Sequence, residues 1–188
     1  MKEDLKDIVN IQGEGFLNSY SQIFFSDNRW LAFLLLLVSF LDPYAGTGGA
    51  LSVIISNLAA QSLGFHSFYI RKGYYGYNSL LVGLGFGLTF NLGAAWFLLI
   101  FVAALLTLLF TIAIQGFLFK YSLPYLSIPF LLGIWIVLLA SGEFSALGLS
   151  ERGVYTFNEL FAIGGKSLID GVEWFDSLIG SQCIRTYL

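Results

Sequence analysis

The sequence has little charge and few of the side chains that most enzyme or metal sites need. Asp, Glu, Lys and Arg make up 11% of its 188 residues, about half the share that is usual in a soluble domain. There is one cysteine, Cys183, and one histidine, His66, which excludes an intrachain disulfide, a multi-cysteine metal site and a paired-histidine site. We therefore predict no catalytic residue, no metal and no cofactor, and we do not expect an enzyme.

Basic clusters and a signal peptide are also lacking. The formal net charge is −3 and no basic patch stands out, which argues against a nucleic acid partner. Residues 1–10 are polar and lack the apolar stretch and small-residue cleavage site of a signal peptide, so we expect them to stay in the mature protein. Lys2 and Lys6 favour a cytoplasmic N-terminus, although acidic residues accompany them. His66 is interpreted as a loop or interfacial residue.

Apolar side chains are what the sequence has in excess. Hydrophobic residues make up 57% and aromatic residues 18% of the chain, and the mean hydropathy is +0.78. No residue is charged in 73–119 or in 121–142, and Asp42 is the only charged residue in 30–70. A charge at the bilayer centre costs about 2.5 to 3.5 kcal/mol on the lenient insertion scale. The pattern predicts an all-α integral membrane protein that crosses the bilayer several times.

Proline and glycine divide the apolar runs into helices. Residues 30–41 form an apolar run that Asp42 and Pro43 follow, and proline prevents the helix from continuing. As a helix the run rises about 18 Å. This is too short to cross a hydrocarbon core of about 30 Å without flanking sequence. Residues 45–63 are rich in glycine and serine, with Ser52 and Ser56 on one face. For that face, packing against another helix is favoured over lining a pore.

Two features of the later runs leave alternatives open. In the predicted helix 93–119, three polar residues recur every four positions and form one stripe: Thr107, Thr111 and Gln115. Hydrogen bonds to the helix's own backbone and packing are favoured there over a pore-lining role. Residues 122–130 contain two prolines where the last apolar helix begins, and the second, Pro129, fits the first turn of that helix. This helix starts either inside the membrane, where free backbone groups line a path, or at the interface as an ordinary cap.

The segment from Gly76 to Phe90 is apolar but short. As a helix it rises only about 23 Å, and short apolar segments are more often re-entrant or buried than spanning. Unpaired backbone groups at membrane depth are tolerated only within protein or along an aqueous path. We therefore predict a re-entrant half-helix that belongs to a pore, with a break near Asn91 and Gly93 before the next helix.

Four segments of the chain carry a family resemblance. They are, in chain order, QIFFSDN (22–28), DPYAG (42–46), YGYNSLLVG (75–83) and SLPYLSIPF (122–130). They resemble the G-Q-V-F-F-x-N-N, N-P-x-x-G, Y-G-Y/F-N-G-x-L-V-G and L-P-x-x-T-x-P-F stretches of urea transporters, the second more loosely than the others. The departures are mild: Ser21 and Ser79 replace glycine, and Ser127 replaces threonine but keeps the hydroxyl.

The resemblance implies one repeat of a urea-transporter-like inverted-repeat channel, with about five membrane helices and one re-entrant half-helix. It implies passive, channel-like transport of urea or a small neutral amide through an aromatic-lined pore that a second half completes. It also implies a multi-pass protein of the plasma or inner membrane and a homo-oligomer, either the trimer usual in the family or a pair of halves. The residues that it assigns to the pore are Gln22 at the mouth, Phe25 and Tyr77 on either side of a slot for a flat solute, Ile23 and Leu81 behind them, and Ser127 at the narrow middle.

The length of the chain fits one half of such a transporter, which we interpret as the N-terminal half of a bacterial-type member. We expect an N-terminal cytoplasmic segment in 1–15, a membrane domain in 16–141, a polar connector in 142–176 and a truncated start of a second repeat in 177–188. The alternatives are an inert membrane fragment that folds without conducting and an ammonium-type channel, which the single histidine disfavours.

Overall fold

The computed structural model describes residues 2–91 and 93–141, in which the regular elements are seven α-helices. The expectation of an all-α protein is therefore confirmed for this part of the chain. The predicted connector in 142–176 and the predicted second-repeat start in 177–188 lie outside the described residues. The helices are α1 (Lys2–Gln22), α2 (Arg29–Ser39), α3 (Pro43–Ser62), α4 (Ser67–Arg71), α5 (Tyr77–Thr89), α6 (Ala94–Phe119) and α7 (Ile128–Ser141).

One helix of the described residues, α6, is long and apolar enough to cross a bilayer by itself. Its 26 residues rise about 39 Å, which exceeds a hydrocarbon core of about 30 Å. Helices α2 and α7 are apolar but contain 11 and 14 residues. The predicted end of α2 before Pro43 is confirmed, and Asp42 caps α3 by accepting hydrogen bonds from the backbone N–H groups of Tyr44 and Ala45.

The polar stripe of α6 bonds to its own helix. The Thr107 hydroxyl donates to the Ala103 carbonyl oxygen at 2.7 Å, and the Thr111 hydroxyl donates to the Thr107 carbonyl oxygen at 2.8 Å. Both threonines are fully buried. The favoured interpretation of these two residues is confirmed. Helix α7 packs on this stripe at Gly133, where an added Cβ would lie 2.5 Å from the Thr107 hydroxyl oxygen.

Helices α3 and α5 are in close contact at two glycines, where there is no room for a larger side chain. A Cβ added to Gly48 of α3 would overlap the carbonyl oxygen of Gly83 on α5, and a Cβ on Gly83 would overlap that of Gly48. Ser52 and Ser56 are fully buried at this contact, and the Ser56 hydroxyl donates to the Tyr75 carbonyl oxygen at 2.8 Å. The prediction of a packing face made from small residues is confirmed.

Helix α1 begins at Lys2 and includes the polar residues near the N-terminus. It runs without interruption through the position between residues 15 and 16 where a domain boundary is predicted. Gly15 lets α1 approach α4, since a Cβ there would lie 2.5 Å from the Ile70 carbonyl oxygen. A core cluster of Tyr20, Ala32, Val53 and Leu80 then fixes the end of α1 against α2, α3 and α5.

Helix α5 is short and its ends lie where the sequence predicted them. Its 13 residues rise about 20 Å, and regular helix stops at Thr89 and resumes at Ala94. Helix α7 starts at Ile128, which places Pro129 in its first turn. These two interrupted helices, together with the end of α1, position the site described next.

Candidate functional site

Three turns and the start of one helix meet at the predicted site. They are the turn 23–28 that follows α1, the turn 72–76 before α5, the first turn of α5, and the loop 120–127 before α7. Gly73 allows the turn 72–76 to lie against α1. Its φ is +77°, and an added Cβ would lie 2.5 Å from the backbone nitrogen of Ser19 on α1. The Asn18 side-chain amide also donates to the Arg71 carbonyl oxygen at 2.7 Å. The end of α1 is therefore attached to the turn 72–76 through backbone groups.

Phe25 occupies the position that ends α1. The Ser26 N–H donates to the Ser21 carbonyl oxygen at 3.2 Å and the Phe25 N–H donates to the Gln22 carbonyl oxygen at 3.0 Å, which is the Schellman pattern of a helix C-terminus. Glycine usually occupies the left-handed position of this motif, but here Phe25 occupies it with φ +51°. The aromatic side chain at this position is 60% exposed.

Phe25 and Tyr77 form an aromatic pair, which we call the ring pair. Their ring centroids are 6.2 Å apart and the ring planes meet at 70°, an edge-to-face arrangement. Tyr77 is buried, with 3% of its surface exposed, so Phe25 is the ring with freedom to turn. The predicted partners are thus adjacent, and their rings meet edge to face rather than in parallel.

The loop before α7 is held against the start of α5 by side-chain hydrogen bonds. The Tyr77 hydroxyl donates to the Leu126 carbonyl oxygen, and the Asn78 amide donates to the same oxygen at 3.4 Å. Leu126 has φ +45°, and the Tyr125 hydroxyl donates to the Tyr74 carbonyl oxygen at 3.0 Å. Ser127, the next residue, is half-buried. Ser127 thus directly follows the residue to which Tyr77 and Asn78 are bonded, and its place at the narrow middle stays a prediction.

Gln22 lies three residues before Phe25 and is bonded to a charged residue. It is buried at the end of α1, and its Nε2 donates to Asp27 Oδ1 at 3.3 Å. Lys72 Nζ donates to Asp27 Oδ2 at 2.7 Å. This hydrogen bond raises the pKa of Lys72 above its ordinary value, so the lysine is firmly protonated and the two charges balance.

Ile23 and Leu81 are less directly placed at the site. Ile23 is half-buried and packs against the core cluster around Tyr20 and Leu80. Leu81 is half-buried on α5, one turn after Tyr77 and hence on the same face. Neither has a described contact with the ring pair.

Sequence reasoning missed three residues that shape the site. Asp27 is separated from Lys72 by 45 positions and Leu126 from Tyr77 by 49, so no local pattern signals these pairs. Tyr125 lies inside the SLPYLSIPF segment, at one of the positions that the motif leaves unspecified. Only the tertiary contacts identify the three.

The chemistry of the arrangement is that of a neutral polar surface beside aromatic faces. The described residues contain no group of three or more His, Cys, Asp or Glu that could hold a metal ion. His66 caps α4, where its Nδ1 accepts from the Phe68 N–H at 3.2 Å, which confirms its interpretation as a loop residue. Carbonyl and amide oxygens next to rings suit a small, flat, uncharged molecule with N–H donors.

Known proteins resemble this chain over most of its length. The family described as "Urea transporter" matches residues 14–181. Urea transporter 1 of Ovis aries is 28% identical over 134 residues, and urea transporter 1 of Mus musculus is 29% identical over the same length. Each match covers 69% of this chain and 35% of the relative. The chain thus spans about a third of the length of the curated relatives it matches.

Proposed function

Because this chain belongs to the urea transporter family, we propose that it carries urea, or a small neutral amide, passively across a cell membrane. The passage is the site around the ring pair, and a second half completes it. The observation that carries this proposal is the contact of Phe25 and Tyr77 beside the shared carbonyl oxygen of Leu126. Aromatic faces and a hydrogen-bond acceptor stand together there without an unpaired charge.

Family membership confirms the coarse sequence predictions. The chain is a membrane protein of a family of transporters rather than enzymes. The curated relatives reported above are mammalian, and the interpretation as a bacterial-type, N-terminal half stays a prediction. So do the count of five membrane helices and the domain boundaries at residues 15, 141 and 176.

The chemistry of urea supports this assignment. Urea is planar, uncharged and rich in N–H donors, so it gains from aromatic faces on either side and from oxygen acceptors at its edge. Ions gain nothing comparable, since a neutral, narrow site does not replace the hydration that an ion loses. We assign Gln22, Phe25 and Tyr77 to the entrance and Ser127 to the middle of the passage, with Ile23 and Leu81 behind the rings.

The short helices support a passage within the membrane. Regular helix stops after α5 at Thr89, and the loop 120–127 before α7 is not helical. The start of α5 bonds to the Leu126 carbonyl oxygen of this loop. Non-helical backbone at membrane depth is tolerated inside protein or along a water-filled path. We assign α5 as the re-entrant half-helix of one repeat in an inverted-repeat channel. A second copy of this chain, or a homologous half, supplies the opposite wall.

Proteoliposomes test the proposal. The full chain is reconstituted, an inward urea gradient is applied, and volume recovery is followed by light scattering. We expect saturable urea flux that falls at least fivefold in Phe25→Ala and in Tyr77→Ala. Phe33→Ala is the matched control, because Phe33 is an exposed phenylalanine on α2 that none of the motifs contains. Wild-type vesicles that are no leakier than empty ones would favour the inert fragment instead.

The mass of the detergent-solubilised protein adds a second measurement. A homo-oligomer, either a pair of halves or a higher assembly built from such pairs, is the expected state if the passage needs a second half. A monomer that is silent in the flux assay would overturn the proposal.

A further inference from the structure

The carboxylate of Asp27 contacts two side chains that come from different parts of the chain. Its Oδ1 accepts a hydrogen bond from Gln22 Nε2 at 3.3 Å, and its Oδ2 accepts one from Lys72 Nζ at 2.7 Å. The side chains of Asp27 and Lys72 are 63% and 32% exposed, whereas Gln22 is 5% exposed. A buried amide at the proposed entrance thus donates to the carboxylate of an ion pair at the surface.

We propose that Asp27 is a positioning residue that turns the Gln22 amide so that its carbonyl oxygen, rather than its NH2 group, faces the passage. Its ion pair with Lys72 holds the carboxylate in place for this task. The inference rests on the proposed function in two respects: Gln22 lines the passage, and the solute that meets its oxygen is urea.

The orientation follows from what each group donates and accepts. An ionised carboxylate only accepts hydrogen bonds, whereas a glutamine amide has a donor end and an acceptor end. The amide next to Asp27 must therefore present its NH2 group to the carboxylate, which leaves Oε1 on the opposite side. A solute rich in N–H donors is recognised by that oxygen. An asparagine in place of Asp27 would accept either end of the amide and would not select one orientation.

The ion pair fixes where this carboxylate lies. Asp27 is two residues after Phe25 and Lys72 is five residues before Tyr77, so the ion pair and the ring pair connect the same two segments. Exposed ion pairs contribute little to global stability, and the Asn18 hydrogen bond to the Arg71 carbonyl oxygen keeps these segments attached without it. Removing the pair should therefore change the Gln22 geometry more than the fold.

A charge swap separates orientation from attachment. Asp27→Lys combined with Lys72→Asp restores an ion pair, but it places an ammonium group, which only donates, next to Gln22. The amide then turns its oxygen towards Lys and its NH2 group towards the passage. We expect the half-saturation concentration for urea to rise about fivefold, the effect of one lost hydrogen bond, with little change in maximal flux. Asp27→Asn should give a smaller rise.

Glu14→Gln is the matched control. Glu14 lies 3.8 Å from both Arg29 and Arg71, so this variant weakens ion pairs that attach α1 to the same segments without touching Gln22. Its half-saturation concentration should equal that of the wild type. A charge-swapped protein that carries urea with the wild-type half-saturation concentration would overturn the positioning role while leaving the proposed function intact.

A measurement without urea keeps the two proposals separate. The side-chain NH2 signals of Gln22 are observed by 1H–15N NMR in detergent and assigned by their loss in Gln22→Leu. We expect a proton shift typical of a hydrogen bond to a carboxylate in the wild type and in Glu14→Gln, and its loss in Asp27→Asn and in the charge swap. If the signals behave so but the wild type carries no urea, the proposed function is wrong and the contact stands. Signals that are identical in all variants would contradict the positioning role.

Discussion

The hydroxyl of Tyr77 donates a hydrogen bond to the carbonyl oxygen of Leu126, 49 residues further along the chain. The bond joins the first residue of α5 to the loop that precedes α7. It also stabilises Leu126 in a left-handed conformation, φ +45°, which leucine otherwise avoids. Tyr77 thus has two functions in one side chain, since its ring contacts Phe25 while its hydroxyl fixes the loop that carries Ser127.

Tyr77→Phe separates these two functions. The variant keeps the ring but removes the donor, which leaves the Leu126 oxygen with the longer hydrogen bond from Asn78 at 3.4 Å. We expect a loss of about 1 kcal/mol in unfolding free energy, the value of one buried hydrogen bond, and a reduction in urea flux smaller than that of Tyr77→Ala. Thermal unfolding in detergent and vesicle flux provide the two values. Equal flux in Tyr77→Phe and Tyr77→Ala would show that the ring contributes nothing.

Substitutions at Phe25 test the backbone conformation at the end of α1. Phe25→Gly removes the cost of a left-handed residue with a side chain, whereas Phe25→Ala keeps it. We expect the glycine variant to be more stable than the alanine variant by about 1 kcal/mol, as measured by thermal unfolding. Both variants lack the ring, and both should therefore lose urea flux to the same extent. An alanine variant as stable as the glycine variant would contradict the left-handed assignment.

The sequence predicted the helices better than it predicted their contacts. Apolar runs and their interruptions by glycine and proline are local signals. They located the end of α5 and predicted Pro129 in the first turn of α7. The same signals missed the continuous helix through residues 2–15, because it is a polar segment: Gln12 Nε2, for example, donates to Gln61 Oε1 on α3 instead of packing through an apolar side chain. A polar segment that packs through hydrogen bonds has no apolar periodicity to reveal it.

The candidate site was predicted in part for a similar reason. Phe25, Tyr77 and Ser127 lie within motifs, so the resemblance identified them, and in the structure the rings of Phe25 and Tyr77 are in contact. The edge-to-face geometry of the ring pair and the link from Gln22 to Lys72 through Asp27 depend on how distant segments pack. Such relations are absent from any local stretch of sequence.

The contact between α3 and α5 should not tolerate a methyl group. In Gly83→Ala the added Cβ would overlap the Gly48 carbonyl oxygen and the Ser52 hydroxyl, so the helices must separate. We expect a loss of about 1 to 3 kcal/mol, the usual cost of overpacking, in thermal unfolding. The matched control is Gly116→Ala on α6, where an added Cβ meets nothing within 4 Å. That variant should be at least as stable as the wild type, because alanine favours helix over glycine.

The Asp27–Lys72 ion pair predicts how urea affinity responds to pH. The hydrogen bond to Asp27 raises the pKa of Lys72, so the charged lysine is stabilised in the fold. A group whose pKa is raised by folding contributes its full stabilisation below its pKa in the unfolded chain. This stabilisation is lost as the pH rises through its pKa in the folded protein. We therefore expect the half-saturation concentration for urea to stay constant from about pH 7 to pH 9 and to rise only above about pH 10.4, the ordinary range of lysine.

The matched variant for this pH series is Lys72→Arg. Arginine keeps its proton at any accessible pH. In this variant the half-saturation concentration for urea should therefore not rise at alkaline pH, and its value between pH 7 and pH 9 should equal that of the wild type. Vesicle flux measured at each pH with equal urea gradients gives both curves. An alkaline rise of the same size in Lys72→Arg would assign the effect to another group, and a rise that already begins between pH 7 and pH 9 would contradict the raised pKa of Lys72.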